Sequence, residues 1–197
     1  MARIILASTS PTRIGILRNA GVPVDALPPR VDERLVEAPL VAAGAAAGDI
    51  ALALAEAKAL GIGKADRAAC VIGADQTLEA RGERWHKPAK LGEARDQLLA
   101  LSGRSHQLHS AVVGVHGGTV KWRHLDTAVM TMRRLSPADI DAYLDRVGER
   151  ALGSVGAYQI EGPGIQLFER IAGDHFTILG LPLLPLLKWL RDEGALG

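Results

Sequence analysis

Short apolar, β-branched runs alternate with stretches of helical spacing along the chain. Arg3 to Ala7 is one such run and predicts a buried strand. Ser10 and Pro11 then give a helix start, the Ser10 hydroxyl accepting from a first-turn amide and Pro11 standing where no N–H is needed. Ile14 and Leu17 mark the buried stripe of that helix, and Gly21 stops it. Residues 27–49, "LPPRVDERLVEAPLVAAGAAAGD", carry prolines, charges and an Ala/Gly run, and predict a long loop. Residues 49–61 predict a helix with Asp49 near its start, and "CVIGAD" (70–75) a buried strand ending in an acid. Residues 79–85 predict a short hairpin turning at Arg81 and Gly82. A helix over 93–103 ends at Gly103, and residues 106–135 predict two long strands joined at Gly117 and Gly118. A helix started by Ser136 and Pro137, a Gly-rich segment, a strand around "IQLFERI" and a C-terminal helix follow. Strands mixed with helices around a hairpin-rich middle predict the α/β class with a mixed sheet. A length of 197 residues predicts a single domain, 1–197.

Composition narrows this picture. Hydrophobic residues make up 48% but aromatics only 4%, so the core is expected to be mainly Leu, Val, Ile and Ala. A net charge of +1 argues against a partner that is a nucleic acid polymer, while leaving room for a local basic pocket. The single Cys70 excludes an internal disulfide and fits a reducing, cytoplasmic setting. It leads an apolar run and is expected to be a buried small residue. No signal peptide is visible, and "ILGLPLLPLLKWL" is too short and too interrupted for a membrane span.

Several residues could carry chemistry. Ser8, Thr9, Ser10 and Arg13 surround a helix N-terminus, where free amides, hydroxyls and a guanidinium suit an anion such as phosphate. Ser136 and Pro137 start another helix with the same residues, so Ser-Pro alone is only a helix start. Asp75, at the end of its predicted strand, could hold a metal or take a proton from water, or it could cap a turn. Lys87 is held extended by Pro88, yet a solvated surface lysine is the ordinary outcome. Lys58, among alanines and leucines, could snorkel or reach an anion. Asp32 and Glu33 could be surface charges or metal ligands on a loop. The histidines lack zinc spacing, His106 and His109 facing opposite ways on a strand.

Taken in order, "LASTSPTR", "VDE", "AEAKA", "VIGADQT", "KP" before a helix, "LSGRSHQLHSAV", "VGAYQIEGPG", "LFERIAGD" and "LGLPL" resemble the Maf family of nucleoside triphosphate pyrophosphatases nearly end to end. The resemblance implies an α/β, Maf/ITPase-like fold of two lobes around a deep cleft and a divalent metal cation (Mg, Mn or Co). It implies hydrolysis between the α- and β-phosphates, giving a monophosphate and pyrophosphate, and leaves a homodimer open. Asp75 would be the proton acceptor and, with Glu33, a metal ligand; Ser8, Arg13, Lys58 and Lys87 would hold the phosphates. The rival readings are a dTTP/UTP pyrophosphatase and a non-catalytic nucleotide-binding regulator of septum formation.

Two departures stand out. The family usually has two adjacent arginines after Ser-Pro, whereas Arg13 is flanked by Thr12 and Ile14. It usually has an acid before the helical lysine, and here Ala57 stands there. Positions 12, 76 and 161 are expected to set base specificity. Gln76 and Glu161 resemble the branch acting on 7-methyl-GTP; the dTTP/UTP branch has Thr and Gln instead. A buried carboxylate at Glu161 would accept from guanine N1–H and N2–H, whereas a thymine or uracil edge flanks its N–H with carbonyls. Thr12 departs from the aromatic residue often found in the methylguanine branch, which could stack on a cationic base.

Overall fold

The computed structural model describes residues 2–197. In chain order the main elements are β1 (Ile4–Ala7), α1 (Pro11–Asn19), β2 (Val24–Leu27), α2 (Glu33–Ala42), α3 (Ala47–Gly63), β3 (Cys70–Ala80) and β4 (Glu83–Trp85). They continue with α4 (Leu91–Leu101), β5 (Ser105–His116), β6 (Thr119–Met132), α5 (Pro137–Val147), β7 (Phe168–Ala172), α6 (His175–Ile178) and α7 (Leu183–Asp192). Three short 3-10 turns lie between α5 and β7. Strand neighbours follow the order β2-β1-β3-β5-β6-β7, with β4 on β3. β1 runs parallel to β2 and β3, while the β3–β4 and β6–β7 pairs are antiparallel. This is the mixed sheet that the alternating pattern predicts.

The described residues divide into two compact units, the first comprising the chain up to Gln76, His109–Thr127 and Asp174–Gly197. β1 is buried on both faces: Ile4 and Leu6 join a cluster with Leu17, Ile72, Leu186 and Trp189, while Ile5 and Ala7 join one with Ala51, Ala55, Ala59 and Val113. Alternation along a strand sends successive residues to opposite faces. Cys70 is a fully buried member of the first cluster, and burial pushes its thiol pKa up, as befits a small core residue.

The second unit comprises Thr77–Leu108 and Ala128–Gly173. Ser136 starts α5 with a reciprocal capping box to Asp139. Tyr143 of α5 donates to the Ala157 carbonyl at 3.3 Å. His106 Nε2 lies 2.6 Å from the Tyr158 hydroxyl, and Phe168 meets Tyr158 edge-on at 4.7 Å.

The pattern of residues misses β2 and α6 altogether and differs from the structure at three further places. The predicted loop over 27–49 contains α2, capped by Asp32 accepting from Arg34 N–H at 3.0 Å. Prolines and an Ala/Gly run hide it: Leu35, Val36 and Leu40 have helical spacing, but Pro39 stands inside the helix. β3 does not end at Asp75 but continues to Ala80. The strand around "IQLFERI" is shorter, because Pro163–Leu167 form a 3-10 turn before β7.

Candidate active site

The site in the first unit is built on a glycine. Val71 of β3 points into the cluster that α3 covers, so Gly73 and Asp75 follow it toward α3. A Cβ at Gly73 would collide with the Ala55 carbonyl and sit 2.8 Å from the Ala59 nitrogen. Its absence lets the α3 backbone lie directly on β3. Lys58, one residue before Ala59, then reaches Asp75: Nζ is 2.6 Å from Oδ1. The same ammonium is 2.9 Å from Glu33 Oε1, which stands at the first residue of α2. Two carboxylates thus converge on one lysine.

Burial pushes the Asp75 carboxyl above the ordinary carboxylate range. The charges of Lys58 and Arg13 oppose this, and the Glu33 carboxylate adds to it. The net effect is a more basic carboxylate held next to a cation. Asp75 is only 9% exposed, so the acid expected at an open strand end is a buried one.

Arg13 lies in the first turn of α1, where Ser10 caps its amide at 3.4 Å. Its Nε donates to the Gly180 carbonyl at 2.8 Å and its Nη1 to the Ala74 carbonyl at 2.9 Å. The guanidinium therefore straps the residue before Asp75 to the segment after α6. Gly180 has φ +89°, and a Cβ there would press on the Arg13 guanidinium at 3.2 Å, so glycine fits on both counts. Ser8 is buried, and its Oγ accepts from Ser10 N–H at 3.1 Å, keeping its own O–H available to donate. Thr12 is half-buried beside Arg13. Gln76 follows Asp75, its side-chain nitrogen donating to Ser110 Oγ and to the carbonyls of Thr177 and Ile178.

Two expected residues belong to the second unit. Lys87 is exposed on the segment after β4. Glu161 is exposed too, on a cavity of about 150 Å³ lined also by Tyr143, Val147, Arg150 and Gln159. It is not the buried carboxylate expected from its proposed pairing with guanine; the Gly-rich turn around it brings its side chain to the surface. Sequence reasoning did not single out Gly73, Ser110, Thr177 or Gly180. Only the glycines left a trace, one inside an apolar strand and one before Leu181 and Pro182.

Residues 3–193 match the profile of the family described as Maf-like protein. The chain belongs to the Maf family. This Maf chain is 58% identical over 194 residues to a 7-methyl-GTP pyrophosphatase of Mesorhizobium japonicum, covering 98% of each. It is 55% identical to a 7-methyl-GTP pyrophosphatase of Rhizobium meliloti, covering 98% of this chain and 97% of that one. It is 50% identical to a nucleoside triphosphate pyrophosphatase of Rhodopseudomonas palustris, covering 98% and 95%. A HAM1 protein from Coxiella burnetii is a looser structural likeness, with a TM-score of 0.44 and 17% identity over 68% of this chain and 75% of its own.

A divalent cation suits the donor set of this Maf chain. Asp75 and Glu33 are hard oxygen donors that already converge on a single positive charge. Among the described residues no group of three His, Cys, Asp or Glu side chains is placed to hold a metal. Two carboxylates leave the remaining positions to phosphate oxygens and water, the arrangement that magnesium-like ions favour. Lys58 and Arg13 only balance Asp75 and Glu33 in charge, so a triphosphate would need further positive charge there. No described helix is long and apolar enough to cross a membrane.

Proposed function

We propose that this chain hydrolyses a nucleoside triphosphate between its α- and β-phosphates, releasing a monophosphate and pyrophosphate, with 7-methyl-GTP as preferred substrate. The observation that carries this reading is the buried Lys58 ammonium held between Asp75 and Glu33, beside the α1 N-terminus. Asp75 is the proton acceptor for the attacking water: it is buried, more basic than an ordinary carboxylate, and the Lys58 ammonium beside it favours its charged form. Lys58 uses two of its three donors on the carboxylates and keeps one for a phosphate oxygen. Ser8 donates its hydroxyl, and the dipole of α1 favours negative charge at its N-terminus. Arg13 acts at longer range, through its charge, because two of its nitrogens are spent on backbone carbonyls. Family resemblance assigns Lys87 to the phosphates.

Asp75 and Glu33 would hold the divalent cation. When bound, it supplies charge to the phosphates and makes water a better nucleophile. Family resemblance assigns base selection to Glu161 and Gln76: a carboxylate and an amide oxygen each accept from guanine N–H groups and oppose pyrimidine carbonyls. A cytoplasmic enzyme fits the free, buried Cys70. The test is kcat/KM for 7-methyl-GTP, dTTP and UTP in the parent and in the Glu161→Gln, Gln76→Thr double variant. The parent should prefer 7-methyl-GTP and the variant should shift toward the pyrimidines by roughly tenfold or more. A parent preferring dTTP or UTP would overturn the base assignment.

A further inference from the structure

The Gln76 amide has two chemically opposite ends, and which end faces a ligand decides what the ligand must offer. Its nitrogen meets Ser110 Oγ at 2.9 Å, the Thr177 carbonyl at 3.1 Å and the Ile178 carbonyl at 3.0 Å. Two of these partners are backbone carbonyls and can only accept. The third has its proton committed, since Ser110 Oγ donates to the Thr177 carbonyl at 2.6 Å. A flipped amide would set an oxygen against three acceptors, so the orientation is forced. The Gln76 oxygen has no partner among the described residues and is not one of the buried unpartnered atoms, so it is open to solvent. The carbonyls that hold the nitrogen are fixed in turn. Asp174 caps α6 through the amides of Phe176 and Thr177, and the Thr177 hydroxyl donates to Asp126 at 2.6 Å. Ser110 is fully buried, and every group named here lies in the first unit.

We propose that Ser110 is a positioning residue for base selection: with the last carbonyls of α6 it locks the Gln76 amide so that its oxygen, an acceptor, faces the ligand. This rests on the reading that Gln76 helps select the base. The lock explains in chemical terms why glutamine at this position selects a donor-bearing purine edge. A freely rotating amide offers donor and acceptor alike; a locked one offers only the acceptor.

A double-mutant cycle tests this, using full-length Ser110→Ala, Gln76→Thr and their combination. The readout is the ratio of kcat/KM for 7-methyl-GTP to that for dTTP. Two N–H protons are shared among three acceptors, so Ser110→Ala removes one shared contact and with it the Ser110 bond that fixes the Thr177 carbonyl. The ratio should fall about three- to tenfold, with kcat for 7-methyl-GTP nearly kept. In the Gln76→Thr background the same change should do nothing more. Additive effects, or an unchanged ratio in Ser110→Ala, would overturn the proposal. So would an unchanged ratio in Gln76→Thr, which removes Gln76 from base selection altogether. A parent preferring dTTP defeats the base assignment alone, because the coupling between Ser110 and Gln76 is read from the cycle whichever base wins. If Ser110→Ala does not fold, the unaltered protein still decides. Its Gln76 side-chain NH2 signals, identified by their loss in Gln76→Thr, should exchange slowly with water, and exchange as fast as that of a solvated glutamine overturns the lock.

Discussion

Replacing Lys58 with methionine would remove one charge while keeping length and apolar bulk on α3. In the parent the ammonium lies 2.6 Å from Asp75 and 2.9 Å from Glu33, with both Lys58 and Asp75 buried. Two unit charges about 4 Å apart attract by about 4 kcal/mol in an effective dielectric of about 20. Part of that is returned as relief from desolvating the lysine. What remains is the usual effect of a close opposite charge on a carboxyl, about 1–3 pH units, or about 1.4–4 kcal/mol. Burial already pushes Asp75 upward, and Lys58 is the largest influence pulling it down. In Lys58→Met the carboxyl should therefore titrate about 1–3 units higher than in the parent. The assay is a carboxyl carbon NMR titration of Asp75 in metal-free protein, with hydrolysis measured alongside. Turnover should fall about tenfold or more, since a larger share of Asp75 is protonated and accepts nothing, and a phosphate oxygen loses its ammonium donor. An Asp75 titration that stays put or moves down would refute the reasoning.

Asp75→Asn should lower kcat by about 10²–10⁴ with the fold retained, as read by nucleotide hydrolysis beside circular dichroism. A carboxyl whose folded pKa lies above its unfolded value of 3.8 stabilises the fold fully below that value and loses the contribution as pH rises through the folded one. The Tm of metal-free Asp75→Asn should thus gain on the parent as pH is raised from 4 to 7, and a parallel pair of Tm curves would contradict this. His106 is a base buried against Tyr158, its pKa pushed down from 6.5 to about 4. The unfolded chain binds that proton more readily, so stability present above pH 6.5 is lost as pH falls toward 4, by up to about 3 kcal/mol. Urea unfolding should show this acid loss in the parent and a smaller one in His106→Gln.

The sequence made legible those parts of the fold that local chemistry dictates. Ser10-Pro11 and Ser136-Pro137 start helices because each serine caps an amide and each proline needs none. β1 and the apolar half of β3 announce themselves because both faces are buried. α2 was hidden because Pro39 lies inside it and an Ala/Gly run follows it, so its apolar residues read as loop. The site was legible as residue types and not as partnerships. Lys58 could be read as snorkelling or as binding an anion; that it holds Asp75 depends on Gly73 letting α3 onto the strand, a contact between segments far apart in sequence. Arg13 suggested a phosphate ligand, whereas two of its nitrogens hold backbone. Ser110 and Thr177 left no signal, since a buried serine in an apolar strand looks like any small residue.

The central claim is cleavage between the α- and β-phosphates, and the products test it most directly. The full chain is incubated with 7-methyl-GTP and magnesium, manganese or cobalt, and the phosphorus products are resolved by NMR. The account predicts 7-methyl-GMP and pyrophosphate in equal amounts, with release abolished by a chelator and nearly abolished in Asp75→Asn. Orthophosphate with the nucleoside diphosphate would contradict it.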